Sequence, residues 1–239
     1  MPVSSSGHLV LTQKILGLSE TGLNVEIILH LGSLLAVLIY FRHKIYLVAS
    51  SFFVAENKKH KNLFLFLVVG TIPAVFVGLF LKSFIESAFD SPFFASAMLV
   101  ITGIILLTTR FKRKDKKELT KSNAVLIGIT QAIAILPGIS RSGITISAGM
   151  HLGIKPEEAA EFSFLLAIPA IMGAVALNLG EFITLDSSQL SLYAVGLIVS
   201  LFSSLFAVYL VMKLIGQGKF EYFGYYCIAA GLTGLYLLG

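Results

Sequence analysis

Six long apolar segments constrain this chain more than any other feature of its sequence. Each is close to the roughly 20 residues that a helix needs to cross the hydrocarbon of a bilayer. Charged residues make up only 13% of the chain, against about 25% in an ordinary soluble domain. The segments are apolar on every side, which favours helices in lipid over a soluble helical core. The predicted spans are 24–41, 63–81, 93–109, 162–180, 190–215 and 220–238.

The positive charges alternate with these spans. Lysine and arginine are concentrated in 42–62 and 110–123, whereas 82–92 and 181–189 carry acidic residues and a single lysine. This positive-inside pattern places the two basic segments in the cytoplasm and the two acidic segments outside. The net charge of +5 therefore reflects topology, and we do not expect a nucleic acid as a partner. A lipid- or nucleic-acid-binding patch in the second basic segment is the less favoured alternative.

Two short segments rich in serine and glycine share a pattern. PVSSSGH occupies 2–8 and PGISRSG occupies 137–143, and Ser4 precedes its counterpart Ser140 by 136 residues. At the same separation the glycine of the first segment falls on the second glycine of the other. We interpret this register as an internal duplication.

The apolar stretches beside the two segments are too short to cross a bilayer. Residues 9–18, 124–136 and 144–154 each contain at most 13 residues, well below a full span. They predict two re-entrant hairpins that enter from opposite faces, within inverted repeats whose polar loops meet near the membrane midplane. The expected fold is an all-α integral membrane protein with about six transmembrane helices and two re-entrant half-helix hairpins. It is a single domain, 1–239, with repeats at about 1–109 and 124–239 joined by a basic cytoplasmic linker, 110–123.

The second segment has the residue types of an anion site. Its glycines let the backbone approach a ligand, and the start of the following half-helix offers free N–H groups beside hydroxyls. Arg141 is a cation at membrane depth, which is a functional hypothesis by default, and its planar fork suits a phosphate. The alternative is a structural helix break in which Arg141 pairs with Glu161. The candidate phosphate-binding residues are Gly138, Ser140, Arg141, Ser142, Gly143 and Thr145.

The first segment has the residue types of a nucleophile and a proton carrier. Ser4, Ser5 and Ser6 supply hydroxyls, and His8 supplies an imidazole, a side chain that can carry a proton. A serine or histidine nucleophile, or a histidine acid/base, that faces an arginine-bound phosphate would form a phosphohydrolase site. The other function class is a lipid flippase or anion transporter, since carriers also place anion sites between inverted repeats.

At these residues the chain resembles a known family. PVSSSGH, QAIAILPGISRSGITISAGMHLG and AAEFSFLLAIPAIMGA are similar to the undecaprenyl-diphosphate phosphatases of the bacitracin-resistance type, over essentially the whole chain. The resemblance implies hydrolysis of undecaprenyl diphosphate to the monophosphate carrier for cell-wall synthesis. It also implies a divalent cation (Mg²⁺ or Ca²⁺), a bacterial plasma-membrane location, a site open to the external face and a homodimer as the oligomer to consider.

The resemblance also implies roles for residues of both segments. It implies catalytic roles for Ser5, His8 and Arg141, and substrate binding by Ser140, Ser142, Thr145 and Glu161. The residue types of the two segments add Ser4, Ser6, Gly138 and Gly143 as further candidate substrate-binding residues. Metal ligands stay unassigned, because the family carries a glutamate-rich motif just before its PVSS stretch and this sequence begins at Met1. We expect the coding sequence to extend upstream with an apolar arm and that motif. Otherwise the chain would be an inactive, truncated relative.

Overall fold

The computed structural model describes residues 1–17, 23–53, 58–111, 117–177 and 190–238 of the 239-residue chain. These residues form helices, with one isolated bridge between Lys117 and Ile154 as their only β pairing. The helices are α1 (Ser5–Leu16), α2 (Leu23–Tyr40), α3 (Arg42–Ser50), α4 (Lys58–Phe80), α5 (Lys82–Phe89), α6 (Pro92–Thr108), α7 (Lys121–Ile133), α8 (Arg141–His151), α9 (Pro156–Leu177), α10 (Leu190–Gly216) and α11 (Tyr222–Leu238), with a 3₁₀ turn at Thr109–Phe111. The all-α prediction is confirmed for these residues.

Four helices are long and apolar enough to cross a membrane. These are Lys58–Phe80, Pro92–Phe111, Pro156–Ala176 and Ser191–Gly216, and a fifth candidate is the pair α2 and α3, bent by 73°. Helix α11 is apolar but has only 17 residues. Of the six predicted spans, the described residues therefore confirm four, or five if the bent pair is one span. Hydropathy alone did not foresee the bend or the late start of α11 at Tyr222, because both depend on local backbone geometry.

The predicted external segments have two different outcomes. Residues 82–92 include the short helix α5 instead of a plain loop. The predicted loop at 181–189, and the end of the span at 162–180, lie outside the described residues.

Large apolar side chains cover the outer faces of the long helices. Phe76 and Phe80 on α4, and Phe202 and Phe206 on α10, are each more than 60% exposed. A soluble protein rarely exposes so much contiguous apolar surface. These faces identify a multi-pass membrane protein whose outer surface contacts lipid.

Glycines allow the helices to cross closely. A Cβ added to Gly103 of α6 would lie 2.7 Å from the carbonyl oxygen of Gly224 on α11, and a Cβ on Gly128 of α7 would collide with the backbone of Gly70 on α4. Small residues drive this kind of packing in membranes, since lipid removes the hydrophobic force between helices. Helix α6 also contacts both α1 and α8, so it joins the two Ser/Gly segments.

The two short helices that follow these segments are capped alike. Ser4 accepts a hydrogen bond from the Gly7 N–H, and Ser140 accepts one from the Gly143 N–H, each at 3.2 Å. Both helices are followed by a left-handed glycine, Gly17 at φ 64° and Gly153 at φ 88° in the same 136-residue register. The shared sequence pattern thus corresponds to a similar local structure at the two segments, and the internal duplication stays a prediction.

Candidate active site

The backbones of the two Ser/Gly segments touch. A Cβ on Gly7 would lie 2.9 Å from the Cα of Gly138, so neither position has room for a larger residue. Gly138 also has a φ of 86°, a left-handed conformation that favours glycine. Segments 136 residues apart therefore form one polar region against α6.

A threonine of α6 holds the second segment in place. The Thr102 hydroxyl donates to the Gly138 carbonyl at 3.0 Å and accepts from the Ser140 N–H at 3.1 Å. Thr102 is fully buried, and one hydroxyl thereby satisfies two backbone groups at a chain reversal. Sequence reasoning missed this residue, although a hydroxyl inside an apolar span was a usable signal.

Arg141 is the first residue of α8, and its guanidinium has an unused donor. Its Nη1 is buried and, among the described residues, has no hydrogen-bond partner. Burial of an unsatisfied donor is costly, and more so for a charged one. The structural pairing with Glu161 is not observed, because Glu161 lies 2.5 Å from Lys44 Nζ in an ion pair between α9 and α3. An anionic ligand could accept a hydrogen bond from Arg141 Nη1.

The other residues of the second segment divide into two groups. Ser140 is buried and caps α8, and the Thr145 hydroxyl donates to the Arg141 carbonyl at 2.7 Å beside Ser163 Oγ at 2.6 Å. Both hydroxyls therefore form hydrogen bonds within the protein, and they hold the backbone around Arg141 in place. The N–H groups of Arg141 and Ser142 precede the first intrahelical bond, from Ile144 to the Ser140 carbonyl, so they are the helix's free donors.

The first segment places a histidine in the first turn of α1. Ser4 has a φ of 58°, the one left-handed non-glycine residue among those described. Its carbonyl lies 2.8 Å from His8 Nδ1, and its hydroxyl lies 3.2 Å from Ser6 Oγ. Ser5 is exposed at the start of the helix. Such a strained backbone residue is a feature of functional sites.

Two further polar side chains near the segments were missed by sequence reasoning. Tyr226 of α11 contacts His8, with 2.8 Å between the phenolic oxygen and Nε2. Gln131 of α7 precedes the second segment, and its buried amide nitrogen and oxygen have no hydrogen-bond partner among the described residues. Tyr226 could not be paired with His8 from sequence, because the two lie 218 residues apart.

An apolar cavity of about 520 Å³ lies beside the second segment. It is bounded by α4, α5, the end of α7 and the residues that lead into Pro137. The lining includes Ile72, Phe76, Phe84, Ile133 and Leu136. A cavity of this size and composition suits a hydrocarbon ligand.

Fold and site together define a multi-pass helical membrane protein with a buried arginine, Arg141, at a helix N-terminus. The chain belongs to the family described as bacitracin resistance protein BacA, which matches residues 1–233. It is 40% identical to an undecaprenyl-diphosphatase of Carboxydothermus hydrogenoformans over 99% of this chain and 91% of that protein. It is 39% identical to one of Desulfatibacillum aliphaticivorans, over 98% and 92%, and 37% identical to one of Syntrophotalea carbinolica, over 97% and 90%.

Proposed function

We propose that this protein is an undecaprenyl-diphosphatase, a membrane hydrolase that converts undecaprenyl diphosphate to undecaprenyl phosphate and inorganic phosphate. The names of its relatives support the substrate. The observation that carries the proposal is the buried Nη1 of Arg141, which has no hydrogen-bond partner within the part of the chain that the structure describes. The Ser/His segment lies close by, with Gly7 against Gly138.

Arg141 binds the terminal phosphate in this proposal. Its guanidinium and the free N–H groups of Arg141 and Ser142 provide donors from a side chain and from a helix N-terminus. Negative charge grows on the non-bridging oxygens as the phosphoryl group transfers, and preorganised donors stabilise that charge without reorganising. The hydroxyls of Ser140 and Thr145 keep the arginine backbone in place.

The first segment supplies the attacking group and the proton transfer. Ser5, His8 or a water held by them attacks the terminal phosphorus, and the bond from that phosphorus to the bridging oxygen breaks. His8 accepts the proton of an attacking hydroxyl or water as a general base. The lipid monophosphate leaves with the bridging oxygen, and a covalent intermediate on Ser5 or His8 would be hydrolysed by water in a second step.

A divalent cation is part of the proposal through the family resemblance alone. The described residues contain no group of three or more His, Cys, Asp or Glu side chains that could hold one. Ser4–His8 and the Arg141 segment offer hydroxyls, one imidazole and a cation but no carboxylate, which does not fit a Mg²⁺ or Ca²⁺ centre. We therefore derive no step through a metal.

The prenyl tail lies in the apolar cavity in this proposal. Leu136, which lines the cavity, precedes Arg141 by five residues, so the tail of a lipid whose diphosphate binds Arg141 would extend into apolar surroundings. The positive-inside pattern puts the acidic segment 82–92, which follows α4, outside. The lipid would thus reach the site from the external leaflet of a bacterial plasma membrane, through re-entrant loops of an inverted repeat.

Phosphate release from undecaprenyl diphosphate tests the function directly. The purified protein should release inorganic phosphate from this lipid in detergent or liposomes, and the Arg141→Ala variant should not. A flippase that used the same site would move labelled lipid between leaflets without releasing phosphate. Lipid movement with no phosphate release from the unmodified protein would replace the proposal by that alternative.

Labelling tests the orientation. Ser6→Cys is introduced in a Cys227→Ser background, because Cys227 is the chain's only cysteine. A membrane-impermeant thiol reagent should label the Ser6→Cys variant in intact cells. Labelling that requires permeabilisation would reverse the proposed topology. Lys114→Cys, in the basic linker and in the same background, is the control and should react only after permeabilisation.

A further inference from the structure

The one long-range side-chain contact of His8 that the structure defines is with Tyr226 of α11. His8 Nε2 lies 2.8 Å from the Tyr226 hydroxyl. The two rings are stacked, with centroids 5.6 Å apart and planes only 6° from parallel. A hydrogen bond and a ring contact together restrict both the position and the rotation of the imidazole.

The two hydrogen bonds of the ring determine its tautomer. His8 Nδ1 lies 2.8 Å from the carbonyl oxygen of Ser4, and a carbonyl oxygen can only accept. Nδ1 therefore carries the hydrogen of the neutral ring, and Nε2 carries the lone pair. The Tyr226 hydroxyl must then donate to Nε2. When Nε2 takes up a proton, the bond reverses and the imidazolium donates to the phenolic oxygen.

Nearby contacts hold Tyr226 in register with the first segment. The next residue, Cys227, is fully buried, and its Sγ lies 3.5 Å from the Pro2 carbonyl. Gly224, two residues earlier, lets α11 press on Gly103 of α6. Contacts on both sides of Tyr226 thus tie α11 to the helix and the segment that build the site, so the tyrosine is well placed to orient His8.

We propose that Tyr226 is a positioning residue for the phosphatase reaction, which orients His8 and holds its Nε2 as the proton-accepting atom. The inference rests on the proposed function and deepens it. Tyr226 acts through His8 and does not itself touch substrate. The Tyr226 hydroxyl occupies the single Nε2 lone pair before the reaction, so it turns away when the attacking O–H donates to Nε2. Its oxygen then accepts from the imidazolium Nε2–H that proton transfer forms.

Tyr226→Phe is the informative variant, because it keeps the stacked ring and removes the hydroxyl alone. We expect kcat to fall roughly three- to tenfold, the range for loss of one net hydrogen bond, with KM within about twofold of the unmodified value. Tyr225→Phe is the matched control. Tyr225 is the neighbouring residue, similarly exposed, and its ring contact is Tyr222. This control should have unchanged kcat and KM.

A spectroscopic measurement separates positioning from a general structural effect. With ¹⁵N-labelled histidine in bilayers, the resonances of His8 are assigned by their loss in His8→Gln. The unmodified protein should show a protonated Nδ1 and an unprotonated, hydrogen-bonded Nε2. In Tyr226→Phe the Nε2 resonance should move, and in Tyr225→Phe it should stay.

The outcomes separate this inference from the function on which it rests. Phosphate release by the unmodified protein, with normal kcat and an unmoved Nε2 resonance in Tyr226→Phe, would overturn the role of Tyr226 and leave the phosphatase intact. Absence of phosphate release from the unmodified protein would overturn the positioning role together with the phosphatase. A reduced kcat with a moved Nε2 resonance in Tyr226→Phe alone supports the inference.

Discussion

The two Ser/Gly segments share a backbone design and differ in the side chains built on it. Each begins with a serine that caps a short helix through the N–H three residues later, Ser4 in one and Ser140 in the other. Ser4 has a φ of 58°, whereas Ser140 has an ordinary extended conformation at φ −80°. The residue that follows each cap is Ser5 in the first segment and Arg141 in the second.

The difference separates charge binding from proton transfer. Arg141 has a buried nitrogen, Nη1, with no hydrogen-bond partner in the described ranges, which is why we propose that it binds the phosphate. The imidazole of His8 already has a partner at each nitrogen, so its orientation is set before any ligand arrives. In the proposed function, the second segment would bind phosphate and the first would transfer the proton. Catalysis needs both groups held in place beforehand.

Arg141→Lys should have the largest effect. An ammonium keeps the charge but cannot reproduce the planar fork, so we expect phosphate release to fall on the order of 10²–10³-fold. Steady-state assays with undecaprenyl diphosphate measure it. Arg110→Lys is the control, because Arg110 is exposed in the turn after α6, and it should keep normal activity. Near-normal turnover of Arg141→Lys would show that Arg141 is structural.

His8→Gln should have the next largest effect. Glutamine can hydrogen bond but cannot take up a proton, so we expect a loss of about 10²-fold in kcat, the low end for general acid–base catalysis. His151→Gln is the control, since His151 is exposed at the far end of α8 beside the Thr108 hydroxyl at 2.9 Å. Equal activity of the two glutamine variants would remove His8 from the mechanism.

Ser140→Ala and Ser4→Gly should differ in their effect on stability. Replacing Ser140 by alanine should lower the free energy of unfolding by about 1 kcal/mol, the usual value for a lost helix cap. Ser4→Gly also loses a cap but relieves the left-handed strain, which costs roughly 1–2 kcal/mol, so we expect no net loss. Thermal unfolding in one detergent compares them. A drop for Ser4→Gly as large as that for Ser140→Ala would show that Ser4 is unstrained.

Glu161→Gln should have the smallest effect. Its ion pair with Lys44 is about 30% exposed on both sides, and such pairs contribute at most about 1 kcal/mol. We expect near-normal activity and a slight loss of stability, and Lys44→Met is the matched variant. A tenfold or greater loss of activity confined to Glu161→Gln would instead support the substrate-binding role that the family resemblance implies.

The sequence predicted the local backbone features of the site better than it predicted where each polar side chain points. The helix start and the special place of Arg141 followed from Pro137, the glycines and an isolated cation in apolar sequence. Thr145 was predicted to bind phosphate, yet its hydroxyl bonds the Arg141 carbonyl and meets Ser163. A hydroxyl one turn into a helix can point outward to a ligand or inward to a neighbour, and only packing against α9 selects between them.

The sequence by itself determined the properties that depend on neighbouring residues: helices in lipid, the capped Ser/Gly segments and their 136-residue register. These follow because hydropathy and capping act over one or two helical turns. Only the tertiary structure paired His8 with Tyr226, Thr102 with Gly138, and Lys44 with Glu161. Each of those contacts joins residues that lie far apart in the chain. Glycines such as Gly7 and Gly103 let some of these backbones approach closely, but the sequence does not show which segment will lie opposite another.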